Sequence, residues 1–342
     1  MLRYSDEIYQ MRKPMNNKIL RRIINWTKLQ IGGSKNLRFD FLKKYGAGVA
    51  LILIFIISSL ISESFLQPNN ILNVLRQISI VGVLALGMTF VIITAGIDLS
   101  VGAVLSVVVV VTAGTVQNHG VLASIFAALG TGLLFGLLNG IGVALGRIQP
   151  FVMTLGMLAF AKGIALIYSK GQPIPITNEA LLDFGNGRTF GIPNPAIVFL
   201  SLLGVCTFIL RRTVFGRAIY AIGSNEEAAR LSGIPVVLTK CGVYAFSGLM
   251  VGIAGILYAS QLGVGTPVSG DGKELDAIAA TVVGGTSLFG GVGTVAGTFM
   301  GAAILGILSN ILNLSGVSPY VQYLFRGLLI IAAVLLQRRS KR

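Results

Sequence analysis

Charge is what this sequence has least of. Only 11% of its 342 residues are Asp, Glu, Lys or Arg, against about 25% in an ordinary soluble domain. The shortage is concentrated between residues 45 and 337, which hold just 21 charges. Such a segment cannot cover a water-facing surface, so a bilayer has to be its solvent. Cysteine is scarce as well: Cys206 and Cys241 are too few for a disulfide framework and form no C-x-x-C pair. The single histidine, His119, lies in the polar break Gln117 to Gly120, which excludes a His-based metal site or a Ser-His-Asp triad in a dry pocket. No G-x-x-x-x-G-K-[ST] phosphate cradle occurs. The core carboxylates that an ion-driven carrier commits to its membrane interior reduce to Asp98, Asp271, Glu274 and Asp276, all at the ends of apolar runs. The expectation is a membrane protein without catalytic residues, metal or cofactor.

What is abundant is apolar residues, 54% of the chain, and glycine, 44 copies. A helical crossing takes about 20 mostly apolar residues, and polar breaks divide the sequence into ten runs: 45–61, 77–95, 101–116, 121–145, 151–168, 195–210, 242–260, 275–283, 294–314 and 319–337. The run 275–283 is short and leads into Gly284, Gly285, Thr286, Gly290 and Gly291. It predicts a broken, re-entrant helix, tolerable only where protein or a water-filled cavity satisfies the freed backbone. The predicted fold class is thus an all-α integral membrane protein of about ten transmembrane helices with glycine-rich broken segments.

Basic residues orient it. Of 27 Lys and Arg, 21 fall on one side of this layout and 4 on the other, with Lys162 and Arg326 inside spans. The basic side is cytoplasmic, which places both termini inside. The excess positive charge therefore signals orientation rather than a nucleic-acid partner. Residues 1–44 form a basic cytoplasmic tail, 45–337 the transmembrane domain with a cytoplasmic loop at 211–241, and 338–342 a basic C-terminal tail. In the first tail Ile19, Ile23 and Trp26 recur at helical spacing among lysines and arginines. Two readings stand, a helix on the inner leaflet or a disordered orienting tail. Met1, Met11 and Met15 all remain candidate starts.

Glycines repeat at four-residue spacing at Gly132, Gly136 and Gly140, and again at Gly293, Gly297 and Gly301, the pattern that lets membrane helices approach closely. Two other segments carry polar chemistry. In Gly87 to Gly102, the group Thr94, Gly96, Asp98, Ser100 and Gly102 separates two spans. Ser100 is placed to cap the following helix and Asp98 to favour its positive end; a role in gating or the permeation path is the functional reading. In Thr213 to Pro235, Asn225 suits an N-cap, Glu226 and Glu227 a first turn, Arg230 a last turn and Gly233 a C-cap. A helix so short cannot stand alone and needs a surface to dock on.

Taken together these segments resemble the permease subunit of bacterial sugar ABC importers, the group handling ribose, xylose and galactose. The family's G-M-T-x-V-I-x-x-G-G-I-D-L-S-V-G stretch is matched from Gly87 to Gly102, with Phe90 and Ala95 as departures. Its T-x-x-G-R-x-x-Y-A-I-G-x-N-x-x-A-A-x-L-S-G-I loop is matched from Thr213 to Ile234, and Glu274 to Gly291 is a third likeness. The resemblance implies a periplasmic sugar-binding protein, an ABC ATPase subunit, a second permease copy or paralogue, and the lipid bilayer of the bacterial inner membrane as partners. It assigns ATPase coupling to Gly216, Arg217, Gly223, Asn225, Glu226, Ala228, Ala229, Arg230 and Gly233. Competing readings are an ABC permease for a nucleoside, an amino acid or a furanosyl signalling molecule, and an ATP-independent secondary carrier. Of the two charges within spans, Lys162 is expected to snorkel, and Arg326 to face other helices, held by carbonyls of the break at 284–293 or by Asp98.

Overall fold

The computed structural model describes residues 37–318, with side chains from Gly46 onward, followed by residues 320–322, 324, 325, 327, 328 and 331. The chain divides into Met1–Gly46 and Ala47–Arg342. Eleven helices are delimited among the described residues: α1 (Leu37–Ile61), α2 (Pro68–Ile93), α3 (Val101–Ala144), α4 (Pro150–Ser169), α5 (Glu179–Asn186), α6 (Asn194–Arg212), α7 (Val214–Ser224), α8 (Glu226–Leu231), α9 (Val236–Leu262), α10 (Lys273–Val283) and α11 (Val295–Leu314). Prolines open α2, α4 and α6 in the first turn, where the missing N–H costs nothing and the fixed φ suits a helix. Six of these helices, α2, α3, α4, α6, α9 and α11, are long and apolar enough to cross a membrane, and Gly46–Ile61 is a shorter apolar one.

Helix α3 covers 44 residues, about 66 Å at 1.5 Å per residue, twice the hydrocarbon thickness of about 30 Å. At Gly120 its backbone turns to φ 79° and ψ 178°, so two crossing-length halves meet at the polar break that the sequence marks. Three boundaries differ from the sequence reading. Helix α1 begins at Leu37, ahead of Tyr45, α2 at Pro68, ahead of Gln77, and α9 at Val236, ahead of Gly242. Two miniature antiparallel pairs, Ile174–Pro175 with Val264–Gly265 and Arg188–Thr189 with Ile192–Pro193, interrupt an otherwise helical fold and went unforeseen. Two-residue ladders leave no alternation to read. The amphipathic pattern around Ile19 to Trp26 and the residue Arg326 lie outside the described residues, as does part of the run 319–337.

From Ile78 onward helix α2 is almost wholly apolar and is buried within the body, with Leu84, Leu86, Met88, Phe90 and Ile92 shielded completely or nearly so. A helix apolar all round belongs inside protein, and α6, α9, α10 and α11 enclose it. By contrast α1, α4 and α6 present Ile52, Leu60, Phe160, Ile167, Leu200 and Phe208 outward, the surface expected toward lipid acyl chains.

The most extensive helix contact joins α3 to α9. Its seam is the first glycine repeat: a Cβ on Gly132 would strike the Gly248 carbonyl, one on Gly136 the Tyr244 carbonyl, and one on Gly140 would come 2.8 Å from the Cys241 Cα. Without a hydrophobic drive between helices in lipid, this close backbone approach supplies the packing.

Candidate functional site

The turn between α2 and α3, residues 94–100, folds over a carboxylate. Asp98 is buried, and its Oδ1 accepts the Ser100 backbone N–H at 2.9 Å and the Ser100 hydroxyl at 2.6 Å. Asn139, from the second half of α3, donates its Nδ2 to Ser100 Oγ at 2.8 Å and lies 3.5 Å from Asp98 Oδ1. Ser100 does not cap α3 with its side chain; this corrects the sequence reading. The hydroxyl turns back to the Asp98 carboxyl because a buried polar group needs hydrogen-bond partners. Gly96 sits under the Tyr244 hydroxyl, where a Cβ would come within 2.7 Å of the oxygen. That hydroxyl is buried without a hydrogen-bond partner among the described residues, as is Asn139 Oδ1. Thr94 spends its hydroxyl on the Val91 carbonyl at 2.8 Å, closing α2.

The second glycine-rich break lies beside this turn. After α10 the chain passes through Gly285, Gly290 and Gly291, all at positive φ (92°, 82° and 72°), a backbone region open to glycine at little cost. Thr294 then caps α11 by accepting the Gly297 N–H at 3.0 Å. Gly291 donates its N–H to the Ile93 carbonyl at the end of α2, at 2.8 Å. A Cβ on Gly290 would lie 2.8 Å from the Ala95 Cβ. Gly284 packs instead on Gly297, and Thr286 is buried beneath Gly293.

The loop at 211–241 reaches the same spot. It holds two helices rather than the single one foreseen. Thr213 caps α7 by accepting the Gly216 N–H at 3.1 Å, and Asn225 caps α8 by accepting the Ala228 N–H at 2.9 Å. Gly233, at φ 80°, ends α8 as expected of a C-cap. At the end of α7, a Cβ on Gly223 would run into the Ile93 carbonyl and come 2.6 Å from the Gly291 nitrogen. Tyr220 donates its hydroxyl to the Gly293 carbonyl at 2.7 Å. Burial pushes the Tyr220 phenol above its ordinary pKa, against the lowering pull of Arg211, so it stays a donor at any physiological pH. Three segments distant in sequence, 93–96, 220–224 and 290–293, thus meet backbone to backbone.

Not every expected site residue joins this junction. Arg217, Ala228 and Arg230 are exposed on α7 and α8, while Ala229 is buried with Ile222 and Val236 in a small apolar cluster. Glu226 binds Lys240 at 2.6 Å and Arg230 at 3.3 Å. Gly102 faces Gly270 and Glu274. Lys162 does not merely snorkel: its ammonium pairs with Asp271. Asn139 and Tyr244 went unnoticed in the sequence, although an amide between Gly136 and Gly140 and a phenol within an apolar run are themselves signals at membrane depth.

Residues 70–334 match the family described as branched-chain amino acid transport system / permease component. The chain is 44% identical over 311 residues to the ribose import permease protein RbsC of Bacillus subtilis, covering 90% of this chain and 96% of that one. It is 40% identical to the Escherichia coli K12 protein of the same name over 92% of this chain and all of that one. With the L-arabinose ABC transporter permease protein AraH of Azospirillum brasilense it shares 35% over 89% and 91% of the two chains. No solved structure matches. The chain that folds its two broken segments against the end of α7 belongs to this family of transport-system permease components.

Proposed function

We propose that the chain is the membrane-spanning permease subunit of an ATP-driven ABC importer. It moves a small sugar, a ribose-like pentose or a hexose, handed over by a periplasmic binding protein. It is a transport subunit and not an enzyme; hydrolysis belongs to a separate ATPase. The reading places it in the bacterial inner membrane with ten spans and both termini cytoplasmic, supported by the 21 to 4 division of basic residues, and pairs it with a second permease copy or paralogue.

The observation that carries the reading is the junction at Gly223. The exposed faces of α7 and α8 offer Arg217, Ala228 and Arg230 to the ATPase, while the end of α7 touches both broken segments through the Gly223 backbone and the Tyr220 hydroxyl. Contacts this close pass a rigid-body shift of α7 to the residues 93–96 and 290–293. Such a two-state element, biased by its partner, is what coupling requires.

The test is uptake of radiolabelled D-ribose by a strain lacking its own ribose importer, supplied with this chain, its ATPase and its binding protein. Uptake abolished by inactivating the ATPase's phosphate-binding lysine supports the reading. Uptake that survives this change indicates a secondary carrier. The family description keeps one other cargo in view, so competition by L-leucine in place of ribose would assign the protein to amino acids.

A further inference from the structure

Away from the junction, along the earlier part of α2, the helices α2, α9, α10, α11 and the residue Gln322 line a cavity of about 250 Å³. Part of the lining is apolar, with Ile78, Val81 and Leu305. It also carries Gln77, Tyr258, Gln261, Asn313 and Gln322, four amides and a phenol among helices that are otherwise largely hydrocarbon. A few convergent polar groups in a partly apolar cavity are the usual make-up of a small-molecule site. Gln322 is buried and donates to Asn313 Oδ1 at 2.7 Å and to the Val317 carbonyl at 3.3 Å, which fixes that part of the lining. Gln261 Oε1 is buried and finds no donor among the described residues; a buried acceptor left so is costly until something donates to it. The charges at the floor answer each other: Lys273 Nζ lies 3.7 Å from Asp276 Oδ2 and 5.6 Å from the centre of the Tyr258 ring.

We infer that this cavity is a subsite for one uncharged monosaccharide ring on its way through the permease, with Gln261 accepting from a ring hydroxyl. The inference rests on the sugar-permease reading and deepens it. The volume falls below the roughly 300–1,000 Å³ of sites for drug-sized ligands and suits a single small ring. An amide carries donors and an acceptor in one plane, the pattern that meets neighbouring hydroxyls, and the apolar part of the lining suits the ring's C–H groups. A paired floor offers no net charge to an ionic solute. Few direct partners make the site weak, as passage demands, since a path must release what it holds.

The experiment uses the full chain, purified in detergent, with Cys206→Ser and Cys241→Ser and a reporter Leu312→Cys on the cavity wall. The rate of maleimide labelling is read with and without D-ribose, and with L-leucine as the zwitterionic comparison. Ribose should slow labelling about threefold or more at saturation, leucine should not, and Gln261→Leu should raise the ribose concentration needed about tenfold. Gln77→Leu, at the more exposed edge of the wall, supplies the same readout should Gln261→Leu lose its fold. The inference is overturned if ribose leaves the rate unchanged while the wild-type chain supports ribose uptake in cells, an outcome that leaves the proposed function standing. Absence of any sugar uptake by the wild type overturns both, and protection by leucine alone replaces the ligand class.

Discussion

Two regions of this protein bring backbones together through glycine, and they differ in what the glycine must do. In the seam of α3 with α9, Gly132, Gly136 and Gly140 are ordinary helical residues against Gly248 and its neighbours; they supply space and nothing else. At the junction Gly290 and Gly291 have positive φ, and with Gly223 they join the ends of broken segments rather than the middles of continuous helices. The seam is a scaffold, since the backbone at these glycines stays helical in both partners and they can only slide. The junction can hinge, because the turns on either side absorb dihedral change.

The sharpest way to break that comparison is one methyl group in each region. Gly223→Ala places a Cβ against the Ile93 carbonyl, so the turn at 93–96 must move. We expect sugar uptake to fall about 100-fold, near the upper end of ordinary coupling free energies, while much of the protein still inserts and purifies. Gly136→Ala drives the same methyl into the Tyr244 carbonyl and should cost about 1–3 kcal/mol of stability through overpacking, read as a drop in thermal midpoint and yield in detergent. Uptake per folded molecule should be near normal. Equal uptake defects per folded molecule would erase the distinction between scaffold and hinge.

The buried cluster sharpens it further. Asn139→Leu removes the amide that holds Ser100 Oγ and faces Asp98, and leaving those groups short of a donor should cost about 1–3 kcal/mol. Its thermal midpoint should fall, and Asn139→Gln should fail to rescue it if the 2.8 Å bond to Ser100 is what matters. The smallest effect is expected at Ala95, which occupies the left-handed region at φ 60° where the resembled motif has glycine. Ala95→Gly should relieve this strain and gain up to about 1 kcal/mol, seen as a modest rise in midpoint with uptake retained.

Much of the scaffold was legible because a bilayer imposes a simple pattern. Apolar runs became helices, the polar break at 117–120 became the interruption of α3, and the run at 275–283 became the short α10 leading into glycine turns. Local chemistry was legible too: Asn225, Arg230 and Gly233 lie where capping preferences put them. What stayed hidden depends on partners remote in sequence. Ser100 gave up its capping role to a carboxylate and an amide at position 139, Lys162 found Asp271, and α7 was missed because its cap, Thr213, reads equally well as the end of the preceding span. The likeness of three segments to one family did not say that they touch. That follows only from the approach of Gly223 to Ile93 and Gly291.

The central claim is that α7 moves the broken segments through this contact, and Tyr220→Phe tests it most directly. The substitution removes one hydroxyl bonded to the Gly293 carbonyl and leaves the glycine packing in place. Measured in the transporter reconstituted with its ATPase and binding protein, the quantity to follow is sugar moved per ATP hydrolysed. The account predicts that hydrolysis continues at close to the wild-type rate while sugar moved per ATP falls severalfold. An unchanged ratio would contradict it.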